Sequence, residues 1–205
     1  SEDEAIFTKY LIEEQEKYSG VIYIADALNL KRSLLLYQQI KDLGIPVLMV
    51  INQVDLAEKR GLHIDSKKLG ELLGQNILET NAKKNIGIEE IRESIFKDEF
   101  SVSDKPYFDI PSENLGLVFN ISRQIEEKNF YKVWTLIAAD TYLGKLESVK
   151  TQLNQEDRKC MVPKRLQVQE TIRRYQQIDG IISQTISKKP QFKELLTEKL
   201  DKVLV

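Results

Sequence analysis

The chain has 205 residues, 41% apolar and 30% charged, a balance that supports a folded core and excludes a disordered polymer. Its 30 Lys and Arg against 32 Asp and Glu leave a formal charge of −2, which argues against a nucleic-acid binder. One Cys (Cys160) and one His (His63) exclude an internal disulfide and a zinc framework, and no apolar run is long enough to cross a bilayer.

Ile6 with Tyr10 and Phe7 with Leu11, each four apart, predict an amphipathic helix over 3–17. Val21 to Ala25 is an apolar β-rich run, which predicts a strand covered on both faces. Asn29 is the expected N-cap of a helix whose stripe is Leu36, Ile40 and Leu43, and Gly44 stops it before Pro46. Val47 to Ile51 predicts a second buried strand. Asp65 caps a short helix carrying Leu69, Leu72 and Leu73, which Gly74 ends. Ile77–Leu78 is a third strand, and Gly87 leads into a helix with Ile88, Ile91 and Ile95 on one face and Glu89 and Glu90 in its first turn.

This alternation predicts parallel strands joined by helical crossovers, with ligands at the carboxyl ends of the strands. The loops after Ala25, Ile51 and Leu78 are therefore the ones that matter. Beyond a polar connector holding Pro106 and Pro111 the alternation stops. Helices are expected through Leu115, Val118, Ile121 and Ile125; through Phe130, Val133, Trp134 and Ile137; and through Leu143, Leu146, Val149 and Leu153. A long one follows from Pro163 through Ile172, Ile182 and Ile186, and a last segment carries Phe192, Leu196, Leu200 and Val203.

Asn52-Gln53-Val54-Asp55 directly follows the second strand. Asn and Asp favour turns, so the tetrapeptide alone is consistent with a plain turn. At a ligand-binding strand end, the Asp55 carboxylate accepts the ring N–H and exocyclic amine of guanine, a donor pair adenine lacks. Asn52 bridges to the base or ties down the neighbouring loop, and Gln53 lays its stem along the ring. After the third strand comes Asn81-Ala82-Lys83. The small Ala82 lets backbone N–H groups reach a purine carbonyl, and the Lys83 stem packs on the other ring face. His63, Cys160, Lys31–Arg32 and Arg173–Arg174 read as ordinary surface or packing residues and Trp134 as bundle core; Asp26, at a strand end, reads equally as a functional carboxylate or as a cap toward Asn29.

With these turns in place the chain resembles a Ras-type GTPase domain, and within that class the bacterial ferrous iron transport protein B (FeoB) family. The stretches Ala25 to Leu30, Gly44 to Val47, Asp65 to Gly74, Gly87 to Ile91 and Leu196 to Leu204 carry the likeness. The sequence contains no G-x-x-x-x-G-K-[ST] and no Asp-x-x-Gly. The resemblance implies that these motifs precede Ser1, so that the opening helix is the second switch helix. It further implies an α/β fold: a partial Ras-like P-loop GTPase half of three parallel strands with helices, then an all-α helical bundle. Residues 1–98 are expected to be the GTPase part, 99–111 a linker, 112–189 a helical domain and 190–205 a segment leading to the membrane domain of the parent protein.

Function follows from the same resemblance. It implies a cytosolic guanine-nucleotide-binding part of a ferrous iron transporter, at the cytoplasmic face of the bacterial inner membrane. GTP hydrolysis gates Fe2+ uptake in the parent, and this stretch itself is inactive in hydrolysis. Asn52, Gln53, Asp55, Asn81, Ala82 and Lys83 hold the guanine end of GTP or GDP, with Mg2+ bound only in the parent. The partners are the transmembrane permeation domain and a second copy meeting at the unpaired edge of the first strand. The alternatives are a non-enzymatic interaction module, in which Asn52 and Asp55 only shape a turn, and a flavodoxin-like or receiver-like domain.

Overall fold

The computed structural model describes residues 17–139 and 162–188, with Leu11. The helix expected over 3–17 lies outside these residues except for Leu11, which is helical, and Lys17; those expected through 143–153 and from Phe192 onward lie outside them, as does Cys160. In chain order the described elements are β1 (Val21–Asp26), α1 (Leu30–Asp42), β2 (Val47–Asn52), α2 (Val54–Lys59), β3 (Leu62–Ile64), α3 (Ser66–Leu73), β4 (Ile77–Thr80), α4 (Ile88–Phe96), α5 (Ser112–Ile125), α6 (Phe130–Ala139), α7 (Pro163–Thr185) and β5 (Ile186–Lys188). The chain is α/β and divides into two compact units that interleave in sequence. One gathers Leu35–Val47 and Val102–Gln177; the other gathers Ile22–Leu34, Leu48–Ser101 and the stretch from Ile178.

The α/β unit is built on a three-stranded sheet in the order β1-β2-β4. Central β2 is buried from Val47 to Ile51. Each such side chain contributes roughly 1.5–3 kcal/mol on leaving water, so a strand without polar alternation has only the middle of a sheet open to it. β2 and β4 pair in parallel, with Asn52 opposite Thr80. That register brings the two strand ends level. β1 departs from the expectation of two covered faces: Ile22 and Ile24, which alternate onto one face, are 41% and 63% exposed.

Local chemistry sets the joints. Asp26 caps the 3-10 turn Ala27–Asn29 that follows β1. It accepts from Leu28 N at 2.9 Å and from Asn29 Nδ2 at 2.6 Å, and α1 begins directly after the turn, at Leu30. Asp65 caps α3 by accepting from Lys68 N at 2.8 Å, and Gly74 ends it at φ +66°. Gly87 opens α4 at φ +79°, where a Cβ would stand 2.1 Å from the Glu79 carbonyl oxygen. A side chain there is excluded twice, by conformation and by space.

A second sheet has no counterpart in the expected pattern. β3 and β5 form an antiparallel ribbon, His63 opposite Ser187 and Ile64 opposite Ile186. The long helix therefore stops at Thr185, whose carbonyl oxygen accepts from Asp65 N at 2.8 Å, and Ile186 belongs to a strand. His63 is exposed as expected, on a strand instead of a loop.

In the helical unit α5 buries Asn114, Leu117, Val118, Ile121 and Ser122, while Leu115 of the expected stripe faces out. Trp134, Val133 and Ile137 are buried on α6, as the spacing predicts, and Phe130 is exposed. Arg174 is the largest departure. It is fully buried instead of lying on a charged surface. Its Nη2 lies 2.7 Å from Asp42 Oδ2, and its Nε donates to Glu170 Oε1 at 2.8 Å. The guanidinium stacks over Phe108 and Tyr131, 5.3 and 4.8 Å from the ring centres. Glu170 also accepts from the Tyr131 hydroxyl at 2.7 Å and from Trp134 Nε1 at 2.9 Å. Asp42 accepts from the backbone N–H of Tyr107 at 2.7 Å and of Phe108 at 3.1 Å. Burial pushes the Asp42 carboxyl upward, and Arg174 with those two N–H groups draws it part of the way back.

Candidate functional site

The parallel register places the ends of β2 and β4 side by side, so the turns that follow them meet. Asn52 is the joint. Its Oδ1 accepts from Gln53 N at 2.9 Å and, across the gap, from Ala82 N at 3.3 Å. Of the two roles open to Asn52, the geometry realises the tie to the neighbouring loop. Gln53 takes a left-handed conformation, φ 66°, and donates its N–H to the Thr80 carbonyl oxygen at 3.2 Å. This sharp reversal lets α2 start at Val54, directly after the strand. Asp55 thereby falls in the first turn of a helix, where the free N–H ends favour a negative charge.

The second turn is closed on itself. Asn81 N donates to Ile86 O at 3.0 Å and Ile86 N to Asn81 O at 3.2 Å. The Asn81 side chain accepts from Lys84 N at 3.2 Å, so it serves its own loop. Thr80 Oγ1 donates to Ile86 O at 2.7 Å, fixing the base of the loop. Ala82 and Lys83 are exposed at its tip.

Lys84, the residue after the expected set, makes the charged contact of the site. Its Nζ lies 3.0 Å from Asp55 Oδ2, with Lys84 and Asp55 side chains 54% and 30% exposed. Chiefly through this hydrogen bond, Lys84 holds the Asp55 carboxyl below its usual range. Sequence reasoning singled out Lys83 and passed over Lys84. Two adjacent lysines look alike until the 3-10 turn Ala82–Lys84 decides which one faces back toward α2. The arrangement thus offers an ionised carboxylate beside two ordered turns at the carboxyl ends of adjacent parallel strands, where open α/β sheets bind ligands. No group of His, Cys, Asp and Glu that could hold a metal ion is gathered among the described residues.

Residues 1–95 match the family model described as ferrous iron transport protein B. The Fe(2+) transporter FeoB of Legionella pneumophila (strain Paris) is 30% identical over 215 residues, covering 100% of this chain and 27% of that protein. Among solved structures, the cytosolic domain of L. pneumophila FeoB matches with a TM-score of 0.73 at 28% identity, over 91% of this chain and 75% of that one. The cytosolic domain of the T. maritima FeoB iron transporter in its GMPPNP form matches with a TM-score of 0.71 at 21% identity, over 92% and 75%, a likeness of fold.

The molecule is therefore of the α/β class, with the fold of the cytosolic FeoB domain that it resembles. The chain belongs to the ferrous iron transport protein B family. It spans about a quarter (27%) of the length of the curated relative. Among its described residues no helix is long and apolar enough to cross a membrane.

Proposed function

We propose that this chain is the guanine-recognising part of a GTPase module, joined to a helical regulatory unit, in a ferrous iron transporter. The observation that carries the reading is the meeting of the Asn52–Asp55 and Asn81–Lys84 turns, with the ionised Asp55 carboxylate beside them. Asp55 accepts the paired N–H donors of guanine, Gln53 and Lys83 flank the ring, Asn52 and Ala82 tie the two turns together, and Asn81 closes the second turn on itself. The Ala82 N–H is bonded to Asn52 in this structure, so a purine carbonyl would share or displace that 3.3 Å contact. A relative of this fold, the T. maritima domain, is known in a GMPPNP form, which supports a guanine nucleotide as the ligand.

For the phosphate end of a nucleotide the sequence holds no Gly-rich G-x-x-x-x-G-K-[ST] motif. In the reading proposed here GTP hydrolysis and Mg2+ binding belong to the parent transporter, where they gate Fe2+ uptake, and this stretch alone recognises the base without hydrolysing. In the same reading the chain works at the cytoplasmic face of the inner membrane, beside the transmembrane permeation domain of the parent protein. A second copy meets this one at β1, the edge strand of the described sheet, which also carries the exposed Ile22 and Ile24 on one face.

The test is discrimination between bases. Titrating the chain with GDP and with ADP should show a preference for GDP, and Asp55→Asn should abolish that preference, by about tenfold or more. Equal affinity of the unaltered chain for GDP and ADP would remove the basis of the proposal.

A further inference from the structure

We propose that Lys84 competes with the base for the Asp55 carboxylate, so that it sets the strength of the preference for guanine and makes that preference rise with salt. The inference rests on the guanine reading above and adds a residue to it. A guanine edge presents two parallel N–H donors and needs both carboxylate oxygens. One of them, Oδ2, already has the Lys84 ammonium group 3.0 Å away. Guanine must therefore break or share an ion pair that adenine, with an acceptor where guanine has its ring N–H, never competes for.

Lys84 is delivered to this position by its loop. Its backbone N–H is bonded to Asn81 O at 2.9 Å and to Asn81 Oδ1 at 3.2 Å. Asn85 reverses the chain at φ 55°, the Asn81–Ile86 bridge closes the loop, and Gly87 packs its Cα against the β4 backbone. The loop is in turn tied to the Asn52 turn through Ala82 N. An arm anchored this closely loses little further freedom in reaching Asp55, so the contact is more persistent than that of a lysine on a mobile tail. Lys59, one helical turn beyond Asp55 on α2, adds a weaker positive field at the same carboxylate. Both partners remain partly exposed, so the competition is modest and open to screening by salt.

The experiment uses the whole chain, titrated with GDP and with ADP at roughly 0.05 M and 0.5 M salt. The ratio of the two affinities cancels the attraction of the phosphates to any lysine. Lys84→Gln should raise the GDP-to-ADP ratio about twofold to fivefold at low salt. High salt should lift the ratio of the unaltered chain toward that of the variant. Lys68→Gln, which removes an equal charge from the Lys68–Glu71 pair on α3, should leave the ratio unchanged. A ratio unchanged or lowered by Lys84→Gln, in a chain that does prefer GDP, overturns the role of Lys84 and leaves the guanine site standing. A chain and variant that both fail to distinguish GDP from ADP overturn the guanine reading, and this inference with it.

Discussion

Arg174 with Asp42 in the helical unit and Lys84 with Asp55 in the α/β unit are the same chemical pair, a cation and a carboxylate about 3 Å apart, in opposite surroundings. Arg174 and Asp42 have no exposed side-chain surface, while the Lys84 side chain is half exposed. Burial raises the stakes of every unpaired charge, which is why Arg174 is surrounded by Asp42, Glu170 and two aromatic faces, and why Asp42 and Glu170 each gather several further donors. Burial works against the Arg174 charge, yet Tyr131, Glu170 and Asp42 together hold its proton more firmly than in free arginine. The Lys84–Asp55 pair has water as an alternative partner on both sides. It contributes little to holding the fold and is for that reason free to exchange one partner for a ligand. The site proposed above, which must open to a base, calls for the second kind of pair; the joint between α1, the connector at Phe108, α6 and α7 is built from the first.

The largest effect should come from Arg174. Arg174→Met leaves Asp42 and Glu170 buried without their cation and should cost about 3–5 kcal/mol, read from urea unfolding. A loss below about 1 kcal/mol would erase the contrast between the two pairs. Lys41 sharpens the same comparison from the other side. It is a buried lysine, 2% exposed, whose ammonium proton burial drives down to about 8 against the weaker pull of Asp104. The unfolded chain thus binds more protons than the folded one between pH 8 and the ordinary lysine value of 10.5, so stability should rise with pH from about 8. Tyr37, which burial pushes up from the ordinary value of 10, works in the opposite sense above pH 10 and closes the window there. Lys41→Met should flatten the rise and gain about 2 kcal/mol at pH 7. A flat profile for the unaltered chain would show that Lys41 reaches solvent.

The parts of this molecule legible in sequence are those governed by neighbours along the chain. The β2 run, the Asp65 cap, the Gly74 stop and the Trp134 core face are all set by side chains within a turn or two of one another, and the structure has them as expected. What escaped depends on distant pairing. β3 is three residues long and has no reason to be a strand until β5 arrives from more than 120 residues away. Arg174 reads as an exposed helix residue because Asp42, which makes its burial tolerable, lies elsewhere in the sequence. In the site the alternation of strands and helices put the two turns at the same side of a parallel sheet, while the neighbouring of their strands appears only in the structure. The choice of Lys84 over Lys83 depends on the handedness of a three-residue turn, which composition does not encode.

Gly87 tests whether the second turn needs its tight base. Gly87→Ala forces a Cβ into the Glu79 carbonyl at a positive φ and should cost about 1–3 kcal/mol. Because the Asn81–Ile86 bridge stands directly before it, the same change should loosen the loop that carries Lys84. Amide exchange should quicken at Asn81 and Ile86 while β2 stays protected. Uniform loss of protection would mean that the loop and the sheet open together.

The smallest effect on folding belongs to Asp55. Asp55→Asn removes the negative partner of Lys84 but leaves the Asn52–Ala82 tie, the Gln53 reversal and the Asn81–Ile86 bridge untouched. The urea midpoint at neutral pH should therefore stay within experimental error of the unaltered chain. Acid sharpens this. Lys84 depresses the Asp55 carboxyl, so whatever the pair adds is present above the ordinary aspartate range and is lost as the pH falls through the depressed value. The two proteins should then differ least in strong acid, where Asp55 is uncharged in both the folded and the unfolded chain. If Asp55→Asn instead lowered the neutral midpoint as far as a buried-pair mutation does, Lys84–Asp55 would be a structural joint after all. A base could then displace Lys84 only by loosening the fold.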